Sequence, residues 1–275
     1  MRQRYGKSQW ALEAVMILAA IIYFIPVYML VQLSFRPGHE MAQSPLGLPS
    51  FSYLGNYLQA WSLANMGQAM LNSAIITSIS LVALVAFGSM AAYVLARRKQ
   101  RLAYWVYILF LAGIILPFQL GLLPLYRLIN ELQLLGTHAS LIIYNVGHFL
   151  PLAIFLYTGF LRAIPREYEE AALVDGASHL QVFTRVVFPL LRPITGTVII
   201  VAGVFIWNDF LTPLLYVGGT SSATLPVVIY QFVGQYEARW ELVFAGLIMG
   251  SLPILVLYFL LQRHVIRGFA SGLKG

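Results

Sequence analysis

Four of the ten acidic residues fall in one stretch, IPREYEEAALVDGASHLQVFTRVVFPL, residues 164–190. Its carboxylates are Glu167, Glu169, Glu170 and Asp175. Clustered carboxylates can do acid–base work, stabilise helix ends, or present charge to a partner. Acid–base work needs an enclosed pocket that perturbs pKa values and a partner nucleophile or base. No nucleophile–histidine pattern accompanies these acids. The five histidines, His39, His138, His148, His179 and His264, show no metal-ligand spacing. There are no cysteines, which excludes thiol chemistry, disulfides and Cys-based metal sites. GKS at 6–8 has the ending of a P-loop, but the motif's first glycine would fall on Met1. SGLK at 271–274 fits Ser-x-x-Lys without its companion motifs. The chain is therefore expected to be no enzyme, with no catalytic residue, metal or cofactor of its own.

A second constellation is Trp207-Asn208-Asp209. It sets hydrogen-bonding groups beside an aromatic face, the pairing that sugar hydroxyls and C–H faces need. The same motif can equally be a helix break. Asn72 and Asn145 are further polar residues among apolar neighbours. They read first as hydrogen bonds between helices and second as solute contacts.

The elements that must position these residues are set by composition. The chain is 60% hydrophobic and 10% charged, with mean hydropathy +0.79. Soluble domains hold about 45–50% apolar residues, so a bilayer is the fitting solvent. A spanning helix needs about 20 apolar residues. Six stretches qualify: 11–33, 69–95, 103–126, 140–161, 194–216 and 241–262. The expected fold is an all-α, six-span polytopic membrane domain covering 1–275, with the loop 162–193 as its longest cytoplasmic segment. A net charge of +7 would suggest nucleic acid in a soluble protein. Here the charge follows membrane sidedness. With the N-terminus inside, only Arg36, Arg127 and Arg239 lie outside, and the other 14 basic residues lie inside. Both termini are therefore cytoplasmic, and no nucleic-acid partner is expected. Residues 34–68, with Pro37, Pro45 and Pro49, read as a looped excursion on the outer side.

Within 162–193 local chemistry predicts a compact knob. Pro165 suits a first helical position. The acids that follow favour the positive helix end. Gly176 suits a helix stop and Ser178 a cap for a second helix over about 179–187. Pro189 and Pro193 then break the chain. Leu173, Val174, Leu180 and Phe183 are expected at the knob's surface, where apolar groups point to a docking partner.

These residues carry a resemblance. Glu170, Ala171, Ala172, Gly176, Val186, Phe188 and Pro189 repeat the spacing of the EAA loop of ATP-binding-cassette (ABC) importer permeases, with Val and Phe replacing Ile and Leu. AAYVLARRK (91–99), LPLYRLINELQLLGTHASLI (123–142), WNDFLTPLLY (207–216) and TLPVVIYQFVGQY (224–236) are similar to the carbohydrate-uptake branch, maltose-type, smaller permease. The resemblance implies a type I importer permease in a bacterial or archaeal inner membrane. Its implied partners are a second, non-identical permease, an ATPase dimer, an extracytoplasmic sugar-binding protein and membrane lipid. It further implies that Glu167, Glu170, Ala171, Ala172, Asp175, Gly176 and Pro189 form the ATPase-coupling loop. The candidate pore or substrate residues are Asn72, Asn145, Trp207, Asn208 and Asp209. A non-sugar cargo remains an alternative. So does a stand-alone secondary transporter, although Asp209 is the only carboxylate well inside a span.

Overall fold

The computed structural model describes residues 7–43, 53–233 and 238–272. Arg2, Arg4, Pro45, Pro49, Lys274 and positions 234–236 of the branch-like stretch lie outside the described residues. The order is α1 (Lys7–Ser34), α2 (Gly38–Gln43), α3 (Gly55–Leu63), α4 (Met66–Arg97), α5 (Arg101–Ile115), α6 (Phe118–Glu131), α7 (His138–Ala163) and α8 (Glu167–Val174). Then come α9 (His179–Leu190), α10 (Arg192–Asn208), α11 (Leu211–Val217), α12 (Leu225–Tyr230) and α13 (Trp240–Gly272). Among the described residues the only β pairing is one isolated bridge, Val233 with Ala238.

Four stretches are each long and apolar enough to cross a bilayer: Trp10–Ser34, Met66–Arg97, His138–Ala163 and Trp240–Leu260. The other two expected spans are not straight. The stretch 103–126 breaks at Leu116–Pro117, and α5 and α6 meet at 102°. Leu116 is extended (φ −68°, ψ 126°), as a residue before proline prefers to be. The stretch 194–216 breaks at Asp209 and Phe210, between α10 and α11. A 72° bend separates α9 from α10 at Leu191.

The expected single domain is grouped by its contacts into two compact units, residues 1–67 with 228–251 and residues 68–227 with 252–275. In the first unit α1 has no part of its most apolar window buried within the chain. Within the expected excursion 34–68 the described residues include two helices, α2 and α3, and α3 is tied back by Asn56. The Asn56 amide donates to the carbonyls of Ser34 (2.9 Å) and Arg36 (2.8 Å). Tyr57 and Ser34 share a hydroxyl bond of 2.7 Å. Arg239 donates to Gln59 at 2.8 Å and pairs with Glu241 at 3.2 Å.

In the second unit α7 packs on α5, α10 and α11. Leu84, Tyr157, Leu161, Val187 and Val198 are among the core shared by α4, α7, α9 and α10. Tyr157 donates to the Thr195 hydroxyl at 3.0 Å. α4 and α7 approach closely at Gly88, where an added Cβ would lie 2.9 Å from the Ala153 Cβ. Neither atom can rotate away. Gly88→Val should therefore destabilise the second unit by about 1–3 kcal/mol, read as a lower thermal midpoint in detergent. Gly159→Val, whose Cβ meets nothing within 4 Å, should shift it much less.

Candidate functional site

The knob is assembled by local chemistry. Ile164 ends α7 in an extended conformation (φ −83°, ψ 122°), which Pro165 favours. Arg166 is the N-cap of α8, so Pro165 precedes the cap rather than taking the first helical position. Glu167, Glu169 and Glu170 occupy the first turn, where the helix dipole favours them. The helix stops in a Schellman motif. The Gly176 N–H donates to the Leu173 carbonyl (3.0 Å), and the Ala177 N–H to that of Ala172 (3.0 Å). Gly176 is left-handed, φ +85°, a conformation costly for side chains with a Cβ. Ser178 and Gln181 then form a reciprocal capping box. The second helix extends past its expected end to Leu190 and contains a π-helical turn, Val182–Val187.

Glu169 is turned inward. Its Oε1 accepts from Arg97 Nε at 2.7 Å and lies 2.7 Å from Arg97 Nη2. Its Oε2 accepts from the Tyr93 hydroxyl at 3.0 Å. Arg97 Nη2 also donates to the Ile164 carbonyl (3.1 Å), and Arg166 Nη2 to the Arg97 carbonyl (3.0 Å). The Arg97 and Glu169 side chains are only 13% and 10% exposed. The pair thus ties the knob to the inner end of α4 across 72 positions of sequence. Neither Glu169 nor Arg97 stands out in sequence as a site residue. The available signal is helical spacing: Glu169 shares a face with Ala172, three residues on. Ala172 packs against the core.

The opposite face is open. Glu167, Glu170, Ala171, Asp175 and Gly176 are exposed. Beside them Val174 is 87% and Leu180 65% exposed. Leu173 is exposed as expected, but Phe183 is not. It is 8% exposed, with ring centroids 5.3 Å from Tyr93 and 6.0 Å from Phe188. The π-helical turn holds both Phe183 and Val182 in the core. Pro189 is half-buried behind the knob. The surface therefore mixes carboxylates with exposed apolar side chains, held in place by caps and one buried ion pair.

The other candidates do not converge. The Asn72 amide donates to the carbonyls of Ser221 (2.8 Å) and Ala223 (2.9 Å). Its Oδ1 accepts from Gln68 (3.0 Å) and lies 3.1 Å from His138 Nε2. Asn72 is thus held by bonds within the chain. Asn145 is buried in α7 and Trp207 near the end of α10. Asn208 is exposed and donates to the Val204 carbonyl at 2.8 Å. Asp209 sits half-exposed at the break between α10 and α11, its Oδ1 3.4 Å from the Thr212 N–H. In α7 the rings of Tyr144 and His148 stack at 5.6 Å. Those two rings line a mostly apolar cavity of about 650 Å³, with Leu116, Phe118, Leu128 and Tyr216. Among the described residues no three His, Asp or Glu side chains gather as a metal would require.

A bundle of apolar helices carrying a capped inner knob is the arrangement of a polytopic permease subunit. The chain belongs to the family of binding-protein-dependent transport system inner membrane components, whose model matches residues 84–271. It is 37% identical over 273 residues to the melibiose/raffinose/stachyose import permease protein MelC of Bacillus subtilis, covering 99% of each chain. It is 34% identical over 256 residues to the probable starch degradation products transport system permease protein AmyC of Thermoanaerobacterium thermosulfurigenes, covering 93% of each. Its fold matches a chain of a bacterial ABC transporter involved in the import of the acidic polysaccharide alginate. That match has a TM-score of 0.80 at 20% identity, over 96% of this chain and 99% of that one. The protein is therefore a multi-pass component of the cell membrane.

Removing one partner of a buried pair leaves the other charge uncompensated, at a cost of about 3–5 kcal/mol. Glu169→Ala should free the knob and speed trypsin cleavage at Arg166 and Arg185. Glu170→Ala, on the exposed face, should leave the cleavage rate near that of the wild type.

Proposed function

We propose that this chain is one permease subunit of an ATP-driven sugar importer. It forms half of the translocation path and couples to ATPase subunits through the knob. The observation that carries the reading is the knob's outer face. Glu167, Glu170, Ala171, Val174 and Asp175 are exposed around a left-handed glycine, on a scaffold held by caps and the Arg97–Glu169 pair. A solvated loop gains nothing from exposing Val174 and Leu180 in this way. An ATPase dimer beneath the membrane would bind the face differently in two nucleotide states. That difference in affinity is what would shift the permease between inward- and outward-open forms. ATP hydrolysis belongs to those subunits.

The family description supplies the binding-protein partner. MelC and AmyC, named for oligosaccharides and starch products, support sugar as the cargo class. A second, non-identical permease would complete the path, in a bacterial or archaeal inner membrane. Asn208 and Asp209, accessible at the α10–α11 break, remain the solute-facing candidates, with Trp207 and Asn145 behind them.

The test is co-purification from native membranes in mild detergent, comparing wild type with Gly176→Asp. Asp tolerates the left-handed region better than most residues, and nothing lies within 4 Å of the added Cβ. The change therefore adds charge at the surface and strains the left-handed turn, without a clash at the added Cβ. Wild type should retain an ATPase and a second permease. The variant should lose the ATPase and keep the permease. A wild-type chain that purifies alone and moves solute into vesicles without ATP would overturn the reading.

A further inference from the structure

The knob is fastened to α4 at its inner end, and the other end of the same helix is fastened too. Near its outer end Asn72 holds the carbonyls of Ser221 and Ala223, and the Ser73 hydroxyl accepts from the Leu225 N–H at 2.9 Å. Gln68 and His138 complete the Asn72 bonds. The segment held there follows α11 and leads into α12, on the extracytoplasmic side. It is ordered by its own turn. Gly219 is left-handed (φ +75°), Thr220 Oγ1 donates to the Val217 carbonyl at 2.8 Å, and the Ser222 N–H donates to Thr220 Oγ1 at 3.2 Å.

Between the two latches α4 runs without a break over Met66–Arg97. The other three long spanning helices each contain a proline, Pro26, Pro151 or Pro253, whereas α4 contains none. Sharp kinks arise at prolines and also at Gly/Ser pairs. The one such pair, Gly88-Ser89, is buried, and Gly88 is pressed against Ala153, which leaves it little room to hinge. At 1.5 Å per residue the latches lie about 37 Å apart. Both are built of directional bonds at buried groups. Asn72 is 1% exposed and Ser73 3%.

We propose that α4 is the rigid link between the ATPase-docking knob and the extracytoplasmic segment 220–225, with Tyr93, Arg97 and Glu169 as its inner positioning residues and Asn72 and Ser73 as its outer ones. Displacing the knob displaces Arg97, and an unbroken helix without proline carries that displacement to the carbonyls held by Asn72. A loop on the outer face, where a binding protein would dock, thereby senses the state of the inner face, and the converse holds by linkage. The physiological meaning of the link rests on the coupling reading above. The link itself does not.

Hydrogen exchange of the full chain in lipid nanodiscs, with no ATPase present, tests it. Glu169→Gln should speed exchange in 167–177 and also, by about five-fold or more, at 220–225. Asn72→Ala should do the reverse, loosening 220–225 directly and the knob remotely. Arg97→Lys keeps the charge and should restore slow exchange at 220–225, where Arg97→Met does not. A change confined to the mutated end, or an equal rise in every helix, overturns the proposal. Because no ATPase enters this experiment, failure here removes the link and leaves the docking reading to stand or fall on co-purification.

Discussion

A carboxylate shut away from water must be paired, and Glu169 is shut away. Its ion pair with Arg97, reinforced by Tyr93, fixes where the knob sits. Burying two charges is costly, and a well-packed apolar pair would often be as stable. What the ion pair adds is direction. Arg97 also binds the Ile164 carbonyl at the end of α7, so one guanidinium joins α4, α7 and α8. With the inner face of the knob locked, Glu167, Glu170 and Val174 are left exposed on the outer face. The Schellman stop at Gly176 and the capping box at Ser178 keep that face compact.

The helices that break and the helix that does not divide the labour. α5 and α6 part at Pro117, and α10 and α11 part at Asp209, where backbone groups are released at depths that need local partners. Asp209 supplies one such partner through Thr212. Under the proposed function, such breaks would suit a wall that rearranges as solute passes. α4 shows the opposite character, unbroken over Met66–Arg97 and latched at both ends. Broken helices beside an unbroken one fit a machine that changes shape in one place because something rigid moves in another.

Much of this was legible in the chain. Mean hydropathy and the 14-to-3 bias of basic residues give the spans and their sidedness. Gly176, Ser178 and the EAA-like spacing give the knob, because capping is local chemistry read within a few residues. The misses are of two kinds. Glu169 and Arg97 are 72 positions apart, and no local pattern tells an inward glutamate from its exposed neighbours beyond the shared face with Ala172. Asn72 likewise finds its partners in a distant loop. Phe183 was misplaced because a π-helical turn changes which residues share a face. Pro165 was placed one step too far into its helix, since the proline's effect fell on Ile164 before it and Arg166 took the cap.

The absence of cysteine makes one measurement unusually direct. A single cysteine at Val174, the most exposed apolar position on the knob, can be crosslinked in the assembled complex in native membranes. The account predicts a product joining this chain to an ATPase subunit, together with protection of Val174→Cys from a soluble maleimide that reaches it in the isolated chain. Free labelling at that position in the assembled complex, with no crosslink to an ATPase, would contradict the account.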